Sequence, residues 1–342
     1  MTIRLLCGDA LEQLRLLPDE SVQCCITSPP YWGLRDYGIA GQLGLERTPD
    51  EYVAKLVEVF REVRRVLRGD GTLWLNLGDC YHSGDRGGYR LDSHRWEKSE
   101  LQSRRKSRGG SGIASAPNRL PQDNLKDKDL VEIPSLVILA LRADGWWHRA
   151  RIPWLKRTGM PESTKDRPTV TVEYLFLLSK SGTYFYDSAA TAKSDCGKDH
   201  PRRQVVAPPN YMPGGRPHSG IRTYDGRNGK GRLRRTVDWF FETWRGLLVD
   251  ETGAPLGLVA KPDNPEGMDT ATFPEALVEP CIAAGSKAGD TTLDPFAGSG
   301  TVGVVALRAG RDFIGIDLNP EYVEMARRRI EGTAPLFTEL AP

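Results

Sequence analysis

Apolar residues along this chain occur as short uninterrupted runs, and each run is separated from the next by an amphipathic or polar segment. Strands that are apolar throughout are buried on both faces, which is typical of parallel strands covered by helices. The predicted strands are residues 3–7, 22–27, 72–77, 171–178, 291–293 and 313–316. The pattern therefore predicts an α/β fold with a doubly wound, mostly parallel sheet.

The segment after residue 47 carries the clearest helix signals. Thr48 can cap the helix, Pro49 can be its first residue, and Glu51 completes a capping box. Apolar residues follow at helical spacing, and Gly69 can end the helix. The apolar stripe consists of Tyr52, Val53, Leu56, Val57, Phe60, Val63 and Leu67. We therefore expect an amphipathic helix between two of the strands.

A glycine-rich turn, Asp294-Pro295-Phe296-Ala297-Gly298-Ser299-Gly300-Thr301, connects the strand 291–293 to a helix over 302–307. Its small residues let a ligand approach the backbone, and the helix N-terminus offers free N–H groups. The next strand ends in Asp317, 17 residues after Gly300, where an acid can bind both hydroxyls of an adenosine ribose. Alone, these features would also suit a NAD-dependent oxidoreductase, because the glycines match the G-x-G-x-x-G pattern of dinucleotide-binding folds.

The position of this turn near the end of the chain indicates how the sheet must be assembled. Only 42 residues follow Gly300, so the other strands must come from earlier in the chain. In a parallel sheet, the strand end at Asp294 then lies beside the end of the strand 22–27, and ligands bind in the crevice outside such ends. Residues 28–32, Ser-Pro-Pro-Tyr-Trp, should therefore face the ligand that the glycine-rich turn holds.

Together the two segments resemble the amino-group DNA methyltransferases of the beta order, a circularly permuted family that methylates N4 of cytosine or N6 of adenine. In that family the catalytic motif, here Ser28-Pro29-Pro30-Tyr31, comes first and the cofactor motif, here the glycine-rich turn, comes last. The resemblance covers about 1–80, 150–187 and 268–331, and it implies S-adenosyl-L-methionine as the cofactor. The implied cofactor-binding residues are Asp9, Phe273, Pro274, Asp294, Phe296, Gly298, Ser299, Gly300, Thr301 and Asp317.

The catalytic motif has residue types that suit methyl transfer to an exocyclic amine, whose lone pair is delocalised into the ring. Ser28 Oγ and the Pro29 carbonyl can accept the amine hydrogens and aim the lone pair at the methyl group. Tyr31 can stack on a base flipped out of the duplex, and the segments of Trp154 and Glu173 resemble the block that supports this base. C5-cytosine chemistry is not expected, because the adjacent cysteines lie inside the predicted strand and not after it.

The target base is predicted from position 28. Serine there is commoner among the N4-cytosine enzymes of the family, whereas aspartate is commoner among the N6-adenine enzymes, so the resemblance favours N4 of cytosine. Both side chains can accept an amine hydrogen, and N6 of adenine therefore stays the alternative. A NAD-dependent oxidoreductase is a remote alternative, because it would leave Ser28 and Tyr31 without a task.

Positive charge is concentrated in parts of a chain whose formal net charge is only +2. Residues 193–235 contain eleven basic and three acidic residues, and residues 83–127 contain ten and six. Such an excess is typical of nucleic-acid-binding surfaces, although a solvated loop has the same composition. We place the target-recognition region at 188–265, between a catalytic part (1–187) and a cofactor-binding part (266–342) of one core, with the basic insertion 83–127 as the competing location. The candidate DNA contacts are Trp154, Lys156, Arg202, Arg203, Arg232, Arg234 and Arg235.

Cysteine spacing and hydropathy narrow the class of protein further. The six cysteines follow no Cys-x-x-Cys spacing, which favours reduced thiols and predicts no metal site. No stretch approaches about 18 consecutive apolar residues, so no membrane segment is expected. The sequence thus predicts a cytoplasmic, bacterial or phage-encoded enzyme that acts on double-stranded DNA. A homodimer and a cognate restriction nuclease in a separate chain are both compatible with it.

Overall fold

The computed structural model describes residues 1–82, 117, 122–155, 165–168, 170, 172–190, 274–333 and 339–340. In this part of the chain, strands and helices largely alternate. The strands are β1 (Thr2–Cys7), β2 (Val22–Thr27), β3 (Leu67–Leu77), β4 (Trp147–Leu155), β5 (Val172–Ser179), β6 (Thr291–Asp294), β7 (Asp312–Asp317) and β8 (Glu339–Leu340). The helices are α1 (Ala10–Arg15), α2 (Pro49–Val66), α3 (Ile133–Ala143), α4 (Glu275–Gly285), α5 (Thr301–Arg308) and α6 (Pro320–Thr333).

The described strands form one sheet in the order β4-β5-β3-β2-β6-β7-β1-β8. The two pairs that include β5 are antiparallel, and the other pairs are parallel. The predicted mostly parallel α/β sheet is therefore confirmed.

The strand order brings distant parts of the chain together. β2 lies between β3 and β6, and Cys25 is paired with Leu293. β1 lies between β7 and β8, and Ile3 is paired with Phe313. The predicted adjacency of the strand ends at Thr27 and Asp294 is thus confirmed. Residues 191–265 lie outside the described residues, so the predicted division into catalytic, recognition and cofactor-binding parts stays a prediction.

Helices cover both faces of the sheet. One face carries α1, α2 and α3, which bury Leu14, Phe60 and Val137 against it. The other face carries α4, α5 and α6, which bury Val302 and Ile330. Covering both faces removes apolar surface from water on each side, which explains why the strands are apolar runs. None of the described helices is both long and apolar enough to cross a membrane.

The start of α2 agrees with its prediction, but its end does not. Thr48 Oγ1 accepts a hydrogen bond from the Glu51 amide at 3.2 Å, and Glu51 Oε2 accepts from the Arg47 amide at 3.0 Å, one residue before the amide that a capping box uses. The helix ends at Val66 and not at Gly69, because Leu67 is already extended and fully buried. Leu67 pairs with Val22, and the register then shifts before Cys24. Gly69 therefore lies in an irregular part of β3, and the prediction that it ends α2 is wrong.

Candidate active site

Asp294 joins the end of β6 to the end of β2. Its side chain is 2% exposed, and Oδ1 accepts hydrogen bonds from Thr27 Oγ1 at 2.6 Å and from the Phe296 amide at 3.0 Å. Burial raises the pKa of Asp294 to about 7. The residue before Ser28 is thus bonded directly to the first residue of the glycine-rich turn, and the two predicted motifs lie side by side.

The glycine-rich turn has a backbone that requires glycine. Gly298 and Gly300 have φ angles of 51° and 78°, in the left-handed region that side chains disfavour. A Cβ on Gly300 would lie 2.8 Å from Ala326 Cβ, so α6 also packs too closely for a side chain there. The turn consequently brings backbone N–H groups and the N-terminus of α5 to the carboxyl end of the sheet.

Arg329 of α6 holds the side chains of the same turn. Its Nη1 donates to Ser299 O at 2.9 Å and Ser299 Oγ at 2.8 Å, and it lies 3.3 Å from Thr301 Oγ1. Ser299 and Thr301 are buried. Their hydroxyls therefore brace the turn against α6, and the sequence analysis did not identify Arg329.

Asp317 lies at the carboxyl end of β7, as predicted. Oδ2 accepts from the Gly298 amide and Oδ1 from the Asn319 amide, both at 2.8 Å, and burial raises the pKa of the carboxyl group. Tyr37 and Tyr322 pack edge to face with ring centroids 6.4 Å apart. Burial and the nearby Asp317 carboxylate both raise the pKa of each phenol. Tyr37 comes from the loop after the catalytic motif, so this loop reaches the predicted ribose site.

Two further predicted cofactor contacts lie at helix starts. Asp9 Oδ1 accepts from the Glu12 amide at 3.0 Å and caps α1, and the adjacent Gly8 amide donates to Asp317 O at 2.9 Å. Pro274 occupies the N-cap position of α4. Asp9 follows the end of β1, which pairs with β7, while the contacts of both residues with a cofactor stay a prediction.

The catalytic motif is held by side chains from two other strands. Tyr31 OH donates to Glu173 Oε2 at 2.9 Å, and Asn76 Nδ2 donates to Tyr31 OH at 2.6 Å. Ser28 Oγ lies 3.4 Å from Tyr31 OH. Burial, followed by the Glu173 charge, raises the pKa of Tyr31 well above its usual value. Asn76 was not predicted to belong to this site, although it is a polar residue within an otherwise apolar strand end.

The backbone of the motif is clamped from the other side. Tyr52 of α2 donates its hydroxyl to Pro30 O at 2.7 Å. Gly44 has a φ of 95°, and a Cβ there would lie 2.9 Å from Tyr31 O. Trp32 is 1% exposed and donates to Glu46 O at 2.9 Å. The turn is thus fixed between α2 and the loop that contains Gly44.

The predicted DNA contacts are only partly described. Trp154 of β4 is partly buried and pairs with Glu173 of β5, which places it on the strand next to the Tyr31 partner. The predicted residues that lie outside the described part of the chain are Lys156, Arg202, Arg203, Arg232, Arg234, Arg235 and Phe273.

Comparison with known proteins identifies the family. The family model N6_N4_Mtase, described as DNA methylase, matches residues 22–328. The chain is 42% identical over 325 residues to the type II methyltransferase M.Cfr9I of Citrobacter freundii, which covers 95% of this chain and 86% of that one. It is 55% identical over 324 residues to the DNA adenine methyltransferase YhdJ of Escherichia coli, which covers 95% of this chain and 81% of that one.

The fold is also found in a solved structure. PvuII DNA methyltransferase, named as cytosine-N4-specific, has a TM-score of 0.52 at 19% identity, and the match covers 95% of this chain and 85% of that one. This likeness concerns the fold, while the sequence relatives and the family model determine the family. The chain therefore belongs to the N6/N4 DNA methylase family and is an S-adenosylmethionine-dependent DNA methyltransferase, as its motifs predicted.

Proposed function

We propose that this enzyme transfers the methyl group of S-adenosylmethionine to the N4 amine of a cytosine that is flipped out of duplex DNA. The observation that carries the proposal is the 2.6 Å hydrogen bond between Thr27 Oγ1 and Asp294 Oδ1, which holds Ser28 beside the glycine-rich turn. Holding the amine and the methyl donor in one orientation lowers the barrier without a covalent enzyme intermediate.

The residues at the ends of β6 and β7 fit this cofactor. Gly298 and Gly300 carry no side chain, so an elongated ligand can lie against the turn. Asp317 accepts one amide hydrogen on each carboxylate oxygen and keeps lone pairs for the ribose hydroxyls. Asp9 and Pro274 lie at the starts of α1 and α4. S-adenosylmethionine supplies an electrophilic methyl group on a sulfonium.

Ser28 and Pro29 are the groups that we assign to the amine. Ser28 Oγ and the Pro29 carbonyl each accept a hydrogen bond from one of the two N–H groups of the amine. These bonds steer the nitrogen toward tetrahedral geometry and aim its lone pair at the methyl group. Pro29 and Pro30 restrict the backbone, and the Tyr52 hydroxyl fixes the Pro30 carbonyl at 2.7 Å. Acceptors that are already in place cost no reorganisation during methyl transfer.

The flipped base needs a surface to stack on. Tyr31 has its hydroxyl fixed by Asn76 and Glu173, which leaves the orientation of its ring well defined. We propose that this ring stacks on the cytosine and that Trp154, on the strand next to Glu173, borders the same pocket.

Adenine N6 methylation is the second candidate function, because the adenine methyltransferase YhdJ is 55% identical to this chain. Ser28 Oγ can accept a hydrogen from either amine, so the site chemistry suits both bases. Cytosine is preferred because the family resemblance associates serine at this position with N4 methylation.

Product analysis decides between the two bases. Plasmid DNA that lacks methylation is incubated with the enzyme and labelled S-adenosylmethionine, digested to nucleosides and analysed by mass spectrometry. We expect labelled N4-methylcytosine. N6-methyladenine as the sole product would overturn the proposed target.

DNA recognition is assigned to residues 188–265. We expect Arg232, Arg234 and Arg235 to contact phosphates, so that DNA affinity falls with salt at a log–log slope of about −0.9 for each contact. Replacing the three arginines with alanine should flatten this slope and leave cofactor binding intact. The matched control removes Arg104, Arg105 and Lys106 from the competing insertion. An unchanged slope in the first variant, with a flattened slope in the control, would place recognition in 83–127.

The cellular setting follows from the substrate. An enzyme that modifies bacterial or phage DNA acts in the cytoplasm, where that DNA is. The type II methyltransferase relatives support a restriction nuclease in a separate chain as a partner. We retain a homodimer as a prediction, which light scattering of the purified enzyme tests.

A further inference from the structure

Three polar side chains form a hydrogen-bonded group behind Ser28. Asn76 Nδ2 donates to Tyr31 OH at 2.6 Å and to Glu173 Oε2 at 3.1 Å, and Tyr31 OH donates to the same carboxylate oxygen at 2.9 Å. Ser28 Oγ lies 3.4 Å from both Tyr31 OH and Asn76 Nδ2. Asn76 is 2% exposed, so the group connects Ser28 to a carboxylate through a region with little solvent.

Asn76 determines the direction of these hydrogen bonds. Its amide nitrogen faces Glu173, since an amide oxygen in that place would repel the carboxylate. The same nitrogen donates to the Tyr31 oxygen, and the Tyr31 hydrogen therefore points to Glu173. The Tyr31 oxygen can then accept from the Ser28 hydroxyl, which turns the lone pairs of Ser28 Oγ toward the substrate amine. The chain of donors thus runs in one direction, from Ser28 to Glu173.

We infer that Glu173 receives the proton that the target amine loses when it is methylated. The amine proton moves to Ser28 Oγ, the Ser28 proton moves to Tyr31 OH, and the Tyr31 proton moves to the Glu173 carboxylate. One N–H bond breaks and one carboxyl O–H bond forms, while Ser28 and Tyr31 end unchanged. The inference rests on the proposed function, but the same relay serves N4 of cytosine and N6 of adenine.

The surroundings of the relay suit this transfer. Burial raises the pKa of Tyr31 well above its usual value, so the phenol stays neutral and passes a proton on as it receives one. Glu173 is only partly buried near the start of β5, so it can return the proton to water between turnovers. The distance of 3.4 Å between Ser28 Oγ and Tyr31 OH is long, and catalytic hydrogen bonds commonly shorten when substrate binds.

Glu173→Gln tests the relay, because glutamine keeps the shape of the side chain but cannot take up the proton. We expect the single-turnover methylation rate to fall about 100-fold or more, the usual contribution of a general base. Affinities for S-adenosylhomocysteine and duplex DNA should not change. Tyr31→Phe should cause a similar loss, and the double variant little further loss, because both substitutions interrupt one chain. Glu58→Gln, on the exposed side of α2, is the matched control and should keep the wild-type rate.

Chemical rescue separates proton uptake from mere positioning. Glu173→Ala leaves space for a small carboxylate, so added formate or acetate should restore part of the rate, and acetate, the stronger base, should restore more. A wild-type rate in Glu173→Gln and Tyr31→Phe, or a loss that carboxylates do not restore, would overturn the inference. The methylated base is identified in the same reactions. N6-methyladenine would overturn the N4 proposal while leaving the relay standing.

Discussion

The glycine-rich turn and the catalytic turn lie at the ends of neighbouring strands, but different kinds of contact hold them. The glycine-rich turn is bonded to Asp317 and Arg329, which are 19 and 30 positions from their partners in the chain. Tyr31 of the catalytic turn is bonded to Asn76 and Glu173, which are 45 and 142 positions away. Apart from the bond between Thr27 and Asp294, the glycine-rich turn is thus held by contacts within its own part of the chain, whereas Tyr31 depends on strands from elsewhere in the chain.

The largest expected effect separates the tasks of the two turns. Ser28→Ala removes the proposed acceptor for the amine, and we expect kcat to fall about 100-fold or more, as when one preorganised hydrogen bond to a transition state is removed. Affinity for S-adenosylhomocysteine, measured by calorimetry, should stay near the wild-type value.

Asp317→Ala should show the opposite pattern. It removes the proposed hydrogen bonds from the ribose hydroxyls to the carboxylate, and a hydrogen bond to a charged group contributes about 1.5–3 kcal/mol, so cofactor affinity should fall at least about tenfold. Asparagine has one acceptor oxygen in place of two, so it can keep the bond to the Gly298 amide or the bond to the Asn319 amide. The cofactor affinity of Asp317→Asn should therefore be intermediate. Equal losses of kcat and affinity in Ser28→Ala would show that the two turns do not have separate tasks.

A substitution outside both turns should disturb only the catalytic one. A Cβ on Gly78 would lie 2.6 Å from Tyr31 Cε2, so Gly78→Ala must displace the ring. We expect turnover to fall about tenfold to 100-fold, because a displacement of about 1 Å can cost this much. Gly332→Ala, where a Cβ meets no atom within 4 Å, is the control. Loss of cofactor affinity in Gly78→Ala would show that the damage extends to the glycine-rich turn.

The fourth prediction compares two glycines of similar backbone conformation. Gly300 and Gly289 have φ angles of 78° and 84°, but only at Gly300 would a Cβ meet a neighbour, Ala326 Cβ at 2.8 Å. Alanine at either position should cost about 1–2 kcal/mol of unfolding free energy through backbone strain. Gly300→Ala should cost about 1–3 kcal/mol more, because packing a Cβ against α6 forces atoms apart. Urea titrations measure the unfolding free energy of both variants. Equal losses would mean that α6 shifts to accommodate the Cβ on residue 300.

The last prediction concerns the pH dependence of the bond between the two turns. Burial raises the pKa of Asp294 to about 7, from 3.8 for an ordinary aspartate. The Asp294 carboxyl therefore binds a proton more tightly in the folded state than in the unfolded state. Protonation of Asp294 stabilises the fold fully below pH 3.8, and this stabilisation is lost as pH rises through about 7. Asp294→Asn should remove this decline in stability with pH, whereas Asp50→Asn, at an exposed position of α2, should not. Thermal melts between pH 4.5 and 7.5 measure the slopes, and an unchanged slope in Asp294→Asn would contradict the assignment.

The same contrast explains what could be predicted from the sequence. Thr48 and Glu51 gave the start of α2 correctly, because capping depends on residues a few positions apart. The prediction that Gly69 ends α2 was wrong, because the end of this helix depends on the pairing and burial of Leu67 against β2. β4 was not predicted, because exposed Arg149 and Arg151 interrupt its apolar residues at the edge of the sheet.

Within the site, residue types were predicted and their partners were not. The motif around Ser28 indicated chemistry, but the bond from Asn76 to Tyr31 OH arises only when β3 lies beside β2. A single polar residue at the end of the run Leu-Trp-Leu-Asn-Leu was the available signal for Asn76. Arg329 gave no such signal, because arginines are common on helices and the contacts of this one arise only when α6 packs against the turn.

The position of β1 between β7 and β8 has a consequence for synthesis on the ribosome. The Thr2 amide donates to Asp312 Oδ1 across 310 positions of sequence, and β2 likewise lacks its neighbour β6 until most of the chain has been translated. Contacts so distant in sequence are slow to form, and strand edges without partners invite aggregation meanwhile. A nascent chain can therefore neither close its sheet nor bind cofactor. DNA modification begins only with chains that have been translated past β7.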